Sequence, residues 1–183
     1  MRYIPLQTKR GYTLLEMIVA VGIFSVVMLA ATGAYLTLIK LDRQARAVND
    51  VANNLSFAVD SMSRSIRTGT AYDCEPTLGG TDCAGGGTSF GFSDSEVPAR
   101  AIIYSRTAGG QVVATINGGT PIPLTDPRIN VTALEFRVRG TTAGDRIQPQ
   151  VTFSIKGTMS TGPNNASTTF AIQGGATRRL LDL

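Results

Sequence analysis

The residues able to do chemistry are concentrated near the front of the chain. Lys9 and Arg10 precede Gly11, and Tyr12, Thr13, Leu14, Leu15 and Glu16 follow it. Glu16 is the single charge between residues 12 and 39. An ionisable group inside an apolar span costs at least ~2.5 kcal/mol on insertion scales, which marks Glu16 as a functional residue by default. Cys74 and Cys83 are the only thiols, and outside the cytoplasm two such cysteines can close a disulfide. Two thiolates without His are half a metal-ligand set. Asp73, Glu75 and Asp82 flank them in no recognisable calcium-loop pattern. Asp94, Glu96, Asp126 and Asp145 are scattered beside turns, where surface carboxylates are the plain explanation. The chain has no His, which excludes a Ser-His-Asp triad, a Cys-His pair and imidazole metal sites. The expectation is a protein that is not an enzyme, with no metal and no cofactor.

An element must position Glu16, and the 28 residues 12–39 supply it. At ~1.5 Å per residue a helix of that length crosses a hydrocarbon layer of about 30 Å. Gly22 and Gly33 lie within it, tolerated in membrane helices and allowing close approach of neighbours. Arg2, Lys9 and Arg10 stand before the run with no acid among them, so the positive-inside rule keeps this end cytoplasmic and the rest outside. A secretory signal would be cut after its apolar run, and residues 29–34 make a poor site for that. A plain signal-anchor shares the basic flank and the run, yet leaves the order Gly-Tyr-Thr-Leu-Leu-Glu unexplained.

That order, Lys9-Arg10-Gly11 followed by Tyr12-Thr13-Leu14-Leu15-Glu16, resembles the processing site of type IV prepilins and type II secretion pseudopilins. The resemblance implies that a membrane peptidase cuts between Gly11 and Tyr12 and that the new amine of Tyr12 is methylated. It also implies that Glu16 is the assembly carboxylate. Tyr12 stands where Phe is commoner. Removal of residues 1–11 takes away three cations and no acid, lowering the formal charge from +4 to +1. Net charge then offers no reason for direct nucleic-acid binding.

Beyond the span the helix is expected to continue to about residue 67, since no Gly or Pro occurs between Gly33 and Gly69. Leu41, Ala45, Val48, Ala52, Leu55, Val59, Met62 and Ile66 recur at steps of four and three, an apolar stripe suited to packing on a sheet. Residues 68–87 change texture, with Pro76, Gly79 and Gly80 between the cysteines. Short strand-like runs follow at 88–93, 101–106, 112–117, 130–139, 150–159 and 168–173. Turns separate them at 108–110 and 118–119, a Pro-rich piece occupies 121–127, and another turn lies at 162–165. The fold class predicted is α+β: a long N-terminal helix, hydrophobic then amphipathic, packed on an antiparallel β-sheet head, as in pilins. The organisation expected is a leader at 1–11, a transmembrane and assembly helix at 12–39, its amphipathic continuation at 40–67, and an extracytoplasmic head at 68–183.

The head narrows the resemblance. Ser63-Arg64-Ser65-Ile66-Arg67, Gly87-Thr88-Ser89-Phe90-Gly91-Phe92 and Ile103-Tyr104-Ser105-Arg106 look like J-type pseudopilins and W-type minor pilins. Leu124-Thr125-Asp126 before residues 131–136 and the strand at 149–155 do so too. Thr169 with Arg178 loosely echoes the Thr-x-x-x-x-Arg-Asn ending of many such subunits, with Arg179 in place of Asn and the spacing stretched by Gly174-Gly175. The resemblance implies a minor pilin or pseudopilin near a filament tip, helping to initiate assembly. The partners implied are prepilin peptidase, the other minor subunits, the major subunit, the inner-membrane assembly platform and, before assembly, the bilayer. The location implied is the inner membrane with the head outside, then a pilus or pseudopilus in the periplasm or at the cell surface. The alternative is an anchored extracytoplasmic binding or adhesion domain that never assembles.

Overall fold

The computed structural model describes residues 11–74, 80–142, 146–160 and 167–179. The leader before Gly11, the turn expected at 162–165, Glu75, Pro76, Gly79 and Asp145 lie outside the described residues. The chain divides into two units, Met1–Arg43 and Gln44–Leu183.

One helix, α1, occupies Leu14–Thr68. Its part in the first unit leaves nearly every large apolar side chain exposed, Leu15 at 72% and Leu29 at 75% among them. The helix is long and apolar enough to cross a membrane. Three of its hydroxyls are satisfied within the helix. Ser25 Oγ donates to the Val21 carbonyl at 2.8 Å, Thr32 Oγ1 to Met28 at 2.8 Å and Thr37 Oγ1 to Gly33 at 3.0 Å. No polar side chain of these three is left bare in an apolar medium.

In the second unit α1 buries Val51, Leu55, Ala58, Met62 and Ile66. This corrects the predicted stripe: Val51 and Ala58 are buried, Ala52 faces solvent and Val59 is only partly covered. The expected steps averaged close to 3.5 residues, whereas a helix with 3.6 residues per turn drifts by ~20° in each heptad. Leu55, Met62 and Ile66 belong to both sets, and at the adjoining turns the buried residue is one position earlier, Val51 and Ala58. Leu41 and Ala45 are exposed as well.

Gly69 ends the helix, its N–H donating to the Ile66 carbonyl at 3.0 Å. A Cβ there would stand 2.4 Å from the Phe92 ring, so only glycine fits. The hydroxyl of Tyr72 lies against the carbonyls of Ile66 and Gly69, meeting the helix end's need for donors. Burial pushes the Tyr72 hydroxyl up to about 12, against the opposing pull of the Arg178 charge.

The strands are β1 (Thr70–Asp73), β2 (Cys83–Gly87), β3 (Phe90–Ser93), β4 (Ala101–Arg106) and β5 (Val112–Ile116). Then come β6 (Ile122–Pro123), β7 (Ile129–Arg139), β8 (Gln150–Ser160) and β9 (Ser167–Thr177). They form two antiparallel sheets, in the orders β1-β3-β4-β5-β6 and β2-β7-β8-β9. The α+β class is as expected, but there are two sheets where one was predicted. β1 and β2 were not anticipated, because Cys83-Ala-Gly-Gly-Gly has no strand-like alternation.

In β7 the inward residues Val131 and Leu134 are three apart, which a regular strand would place on opposite faces. A bulge between Val131 and Ala133 absorbs the extra residue and returns Leu134, Phe136 and Val138 to the core. β9 runs on through Gly174 and Gly175, past the end expected at residue 173. A Cβ on Gly174 would lie 2.4 Å from the Phe153 ring, so the glycine is where β9 accommodates that ring.

Tyr72, Phe90, Phe92, Tyr104, Phe136 and Phe153 form a run of ring contacts through the core. Phe90 of one sheet stacks on Phe136 of the other with centroids 5.3 Å apart, so the two sheets share one core. The helix is tied in by polar contacts too: Asn54 Oδ1 accepts from the Asp126 N–H at 2.9 Å, and the Arg67 carbonyl from the Arg179 N–H at 2.9 Å.

Candidate functional site

Gly11, Tyr12 and Thr13 precede α1 as non-helical backbone, with Tyr12 81% exposed. A peptide bond in exposed, non-helical backbone is open to attack, unlike one inside a helix. Thr13 starts the helix as its N-cap. Its Oγ1 accepts from the Glu16 N–H at 3.2 Å, and its carbonyl accepts from the Met17 N–H at 3.2 Å. Thr-x-x-Glu is the pattern of a capping box, with Glu16 at the third helical position. The pattern is legible in the sequence, yet sequence reasoning assigned Glu16 to assembly alone. Its carboxylate also sits in the first turn, where the positive end of the helix dipole favours an anion. The fold thus brings Gly11, Tyr12 and Glu16 together at one helix start, with Glu16 exposed.

Cys74 and Cys83 are bonded to each other, with Cα atoms 6.1 Å apart. The bridge joins the end of the β1 region to the first residue of β2. The neighbouring acids are engaged separately. Asp73 accepts from Thr81 Oγ1 at 3.2 Å. Asp82 accepts from the N–H groups of Gly140 and Thr141 and from Thr141 Oγ1, at 3.1, 2.8 and 2.8 Å. Among the described residues no group of acids and cysteines gathers as a metal site would require.

The scattered carboxylates hold turns. Asp94 accepts from the Glu96 and Arg100 N–H groups at 3.1 Å each and pairs with the Arg100 guanidinium at 2.7 Å. Burial disfavours its ionised form, but the Arg100 and Glu96 hydrogen bonds and the Arg100 charge outweigh this and hold the carboxyl below its usual range. Glu96 reaches the same guanidinium at 2.7 Å. Asp126 pairs with Arg128 at 3.0 Å, and hydrogen bonds from that arginine's side chain and backbone lower its carboxyl too. Asp94, Glu96 and Asp126 are each bound to a neighbouring arginine or loop amide, which is the wiring of a turn.

Set against known proteins, residues 6–32 match a family model described as the prokaryotic N-terminal methylation motif. No curated protein and no solved structure matches the chain. The matched stretch contains Gly11, Tyr12 and Glu16 and the first part of α1. This motif is typical of type IV pilins and pseudopilins.

Proposed function

We propose that this chain, which carries the N-terminal methylation motif on an exposed apolar helix, is a minor type IV pilin or type II secretion pseudopilin. It would be a structural subunit near the tip of a filament, where it helps to initiate assembly, and it would not be an enzyme. The observation that carries the reading is the coincidence of the motif with the helix start: Gly11 and Tyr12 exposed ahead of α1, Glu16 in its first turn. Residues 1–11 are the leader, 12–39 the membrane and assembly helix, 40–67 its amphipathic continuation and 68–183 the extracytoplasmic head.

In this mechanism prepilin peptidase cuts after Gly11 and the amine of Tyr12 is methylated while remaining cationic. The subunit waits in the cytoplasmic membrane, held by its helix, and the inner-membrane platform passes it into the filament among the major and other minor subunits. In the apolar filament core, Glu16 of one subunit and the Tyr12 amine of its neighbour offset each other's loss of hydration. A misregistered subunit would leave a charge unpaired there, which is strongly unfavourable. Pairing therefore specifies register as well as attraction.

Two measurements test this. The intact mass of the chain, expressed with and without a prepilin peptidase, is expected to show loss of residues 1–11 and methylation of Tyr12. An unchanged mass beside an active peptidase would overturn the reading in favour of an anchored binding domain. Glu16→Ala is expected to insert and be cleaved but to enter filaments poorly; normal incorporation would sink the pairing mechanism.

A further inference from the structure

Sheet edges are templates for other chains, and folded proteins blunt them with short strands, charges, prolines or bulges. Three of the four edges here are blunted. β1 has four residues, β6 has two and carries Pro123, and β2 has five with a break in its register. The fourth, β9, has eleven residues, Ser-Thr-Thr-Phe-Ala-Ile-Gln-Gly-Gly-Ala-Thr, with no charge and no proline. It pairs with β8 along its whole length and with no other strand among the described residues.

The hydrogen bonds identify its open side. The Arg178 N–H donates to the Pro149 carbonyl, toward β8. Backbone groups alternate sides along a strand, so Ala176, Gly174 and Ile172 face β8 while Thr177, Gly175, Gln173, Ala171 and Thr169 face away. The Arg179 N–H, on the away side, reaches the Arg67 carbonyl at the end of α1. The helix end thus closes the top of the edge, and the outward groups below it make no hydrogen bond among the described residues.

Where edge and helix meet lies a groove of about 640 Å³, bounded by Gly175 and Thr177 on one side and by Arg64 and Arg67 on the other, with Arg179 at its head. All three arginines are exposed, and none forms an ion pair among the described residues. We propose that this edge binds an extended, acidic segment of a second protein. The segment would add a strand beside β9 and place its carboxylates against Arg64, Arg67 and Arg179. The backbone groups select an extended chain, and the three exposed guanidiniums select acid over base. The surface belongs to the head and needs no filament, so its failure would leave the pilin reading untouched.

The test uses the full chain in detergent micelles and a blocked, fluorescent nonapeptide of alternating Thr and Val with Glu near each end. Two controls are the same peptide with Lys for Glu, and the Glu peptide methylated on alternate amide nitrogens. The Glu peptide is expected to bind and to slow amide exchange at Thr169, Ala171, Gln173, Gly175 and Thr177. The Lys peptide should bind about tenfold more weakly, as like charges meet, and the methylated one should lose the exchange protection. The triple variant Arg64→Glu, Arg67→Glu, Arg179→Glu should reverse the preference between Glu and Lys peptides. Equal binding of all three peptides, protection elsewhere in the head, or a Glu preference that survives the triple variant would overturn the proposal. The comparison of peptides on the unaltered chain decides the matter even where the variant fails to fold.

Discussion

At the scale of single residues, Asp82, Asp94 and Asp126, expected as plain surface carboxylates or loop acids, are stabilising anions of loops. Asp82, like Asp94, is held below the usual range although burial opposes this. The Thr141 and Gly140 hydrogen bonds and the Arg139 charge prevail. A carboxyl whose folded value lies below its unfolded value of about 3.9 contributes stability that is fully present above that pH and disappears as pH falls through the lower folded value. The head should therefore lose stability on acidification below about pH 4. Asp94→Asn should be less stable than the unaltered chain at neutral pH and converge with it at the acid end. Melting followed by near-ultraviolet circular dichroism across pH 2–7 checks this, and parallel profiles for the two proteins would refute it. That these residues are turn anchors was only partly legible. Asp126 and Arg128 are two apart in sequence, but Asp82 finds Thr141 across 59 residues, a pairing that only the folded chain makes.

At the scale of elements, the helix start holds a cap made by Thr13 and the Glu16 N–H, and variants can separate that cap from the assembly role proposed for the Glu16 carboxylate. Thr13→Ala removes the cap and should cost about 1 kcal/mol at the first turn. Faster amide exchange at Glu16 and Met17 in micelles would report it. Glu16→Gln keeps the Glu16 N–H that Thr13 accepts, so the cap should survive while filament entry fails. Loss of both together would mean that the carboxylate acts through the helix alone. Further along α1, the buried seam predicts an asymmetry between neighbours. Val51→Asp places an unpaired charge in the core and should unfold the head or destabilise it by several kcal/mol. Ala52→Asp, on the solvent side, should stay within about 0.5 kcal/mol of the parent in chemical denaturation. The reverse order would restore the seam expected from the sequence. Both residues are small and apolar on adjacent positions, and the pattern of spacing alone could not choose between them.

At the scale of the whole head, the two sheets are joined by aromatic packing, and Phe136 lies at the junction. Its ring meets Phe90 at 5.3 Å and Phe153 at 6.1 Å. Phe136→Ala should cost about 3–5 kcal/mol, read as a lower denaturant midpoint for the head. A loss of unfolding free energy under about 1 kcal/mol would show that the sheets do not depend on one another. What the sequence determined by itself was whatever depends on neighbours along the chain. The basic flank, Gly11, Tyr12, Glu16 and the apolar run form a local pattern, and the absence of helix breakers carries α1 on to Gly69. The strands at 101–106, 130–139 and 150–159 announced themselves by alternation. The tertiary structure decided what depends on residues far apart. It set the division of the strands into two sheets, the bulge that returns Leu134 to the core, and the choice of Val51 over Ala52. It also made a strand of Gly-rich β2 and continued β9 through Gly174. Those outcomes rest on which surfaces meet and where a ring such as Phe153 needs room, and no local spacing encodes that.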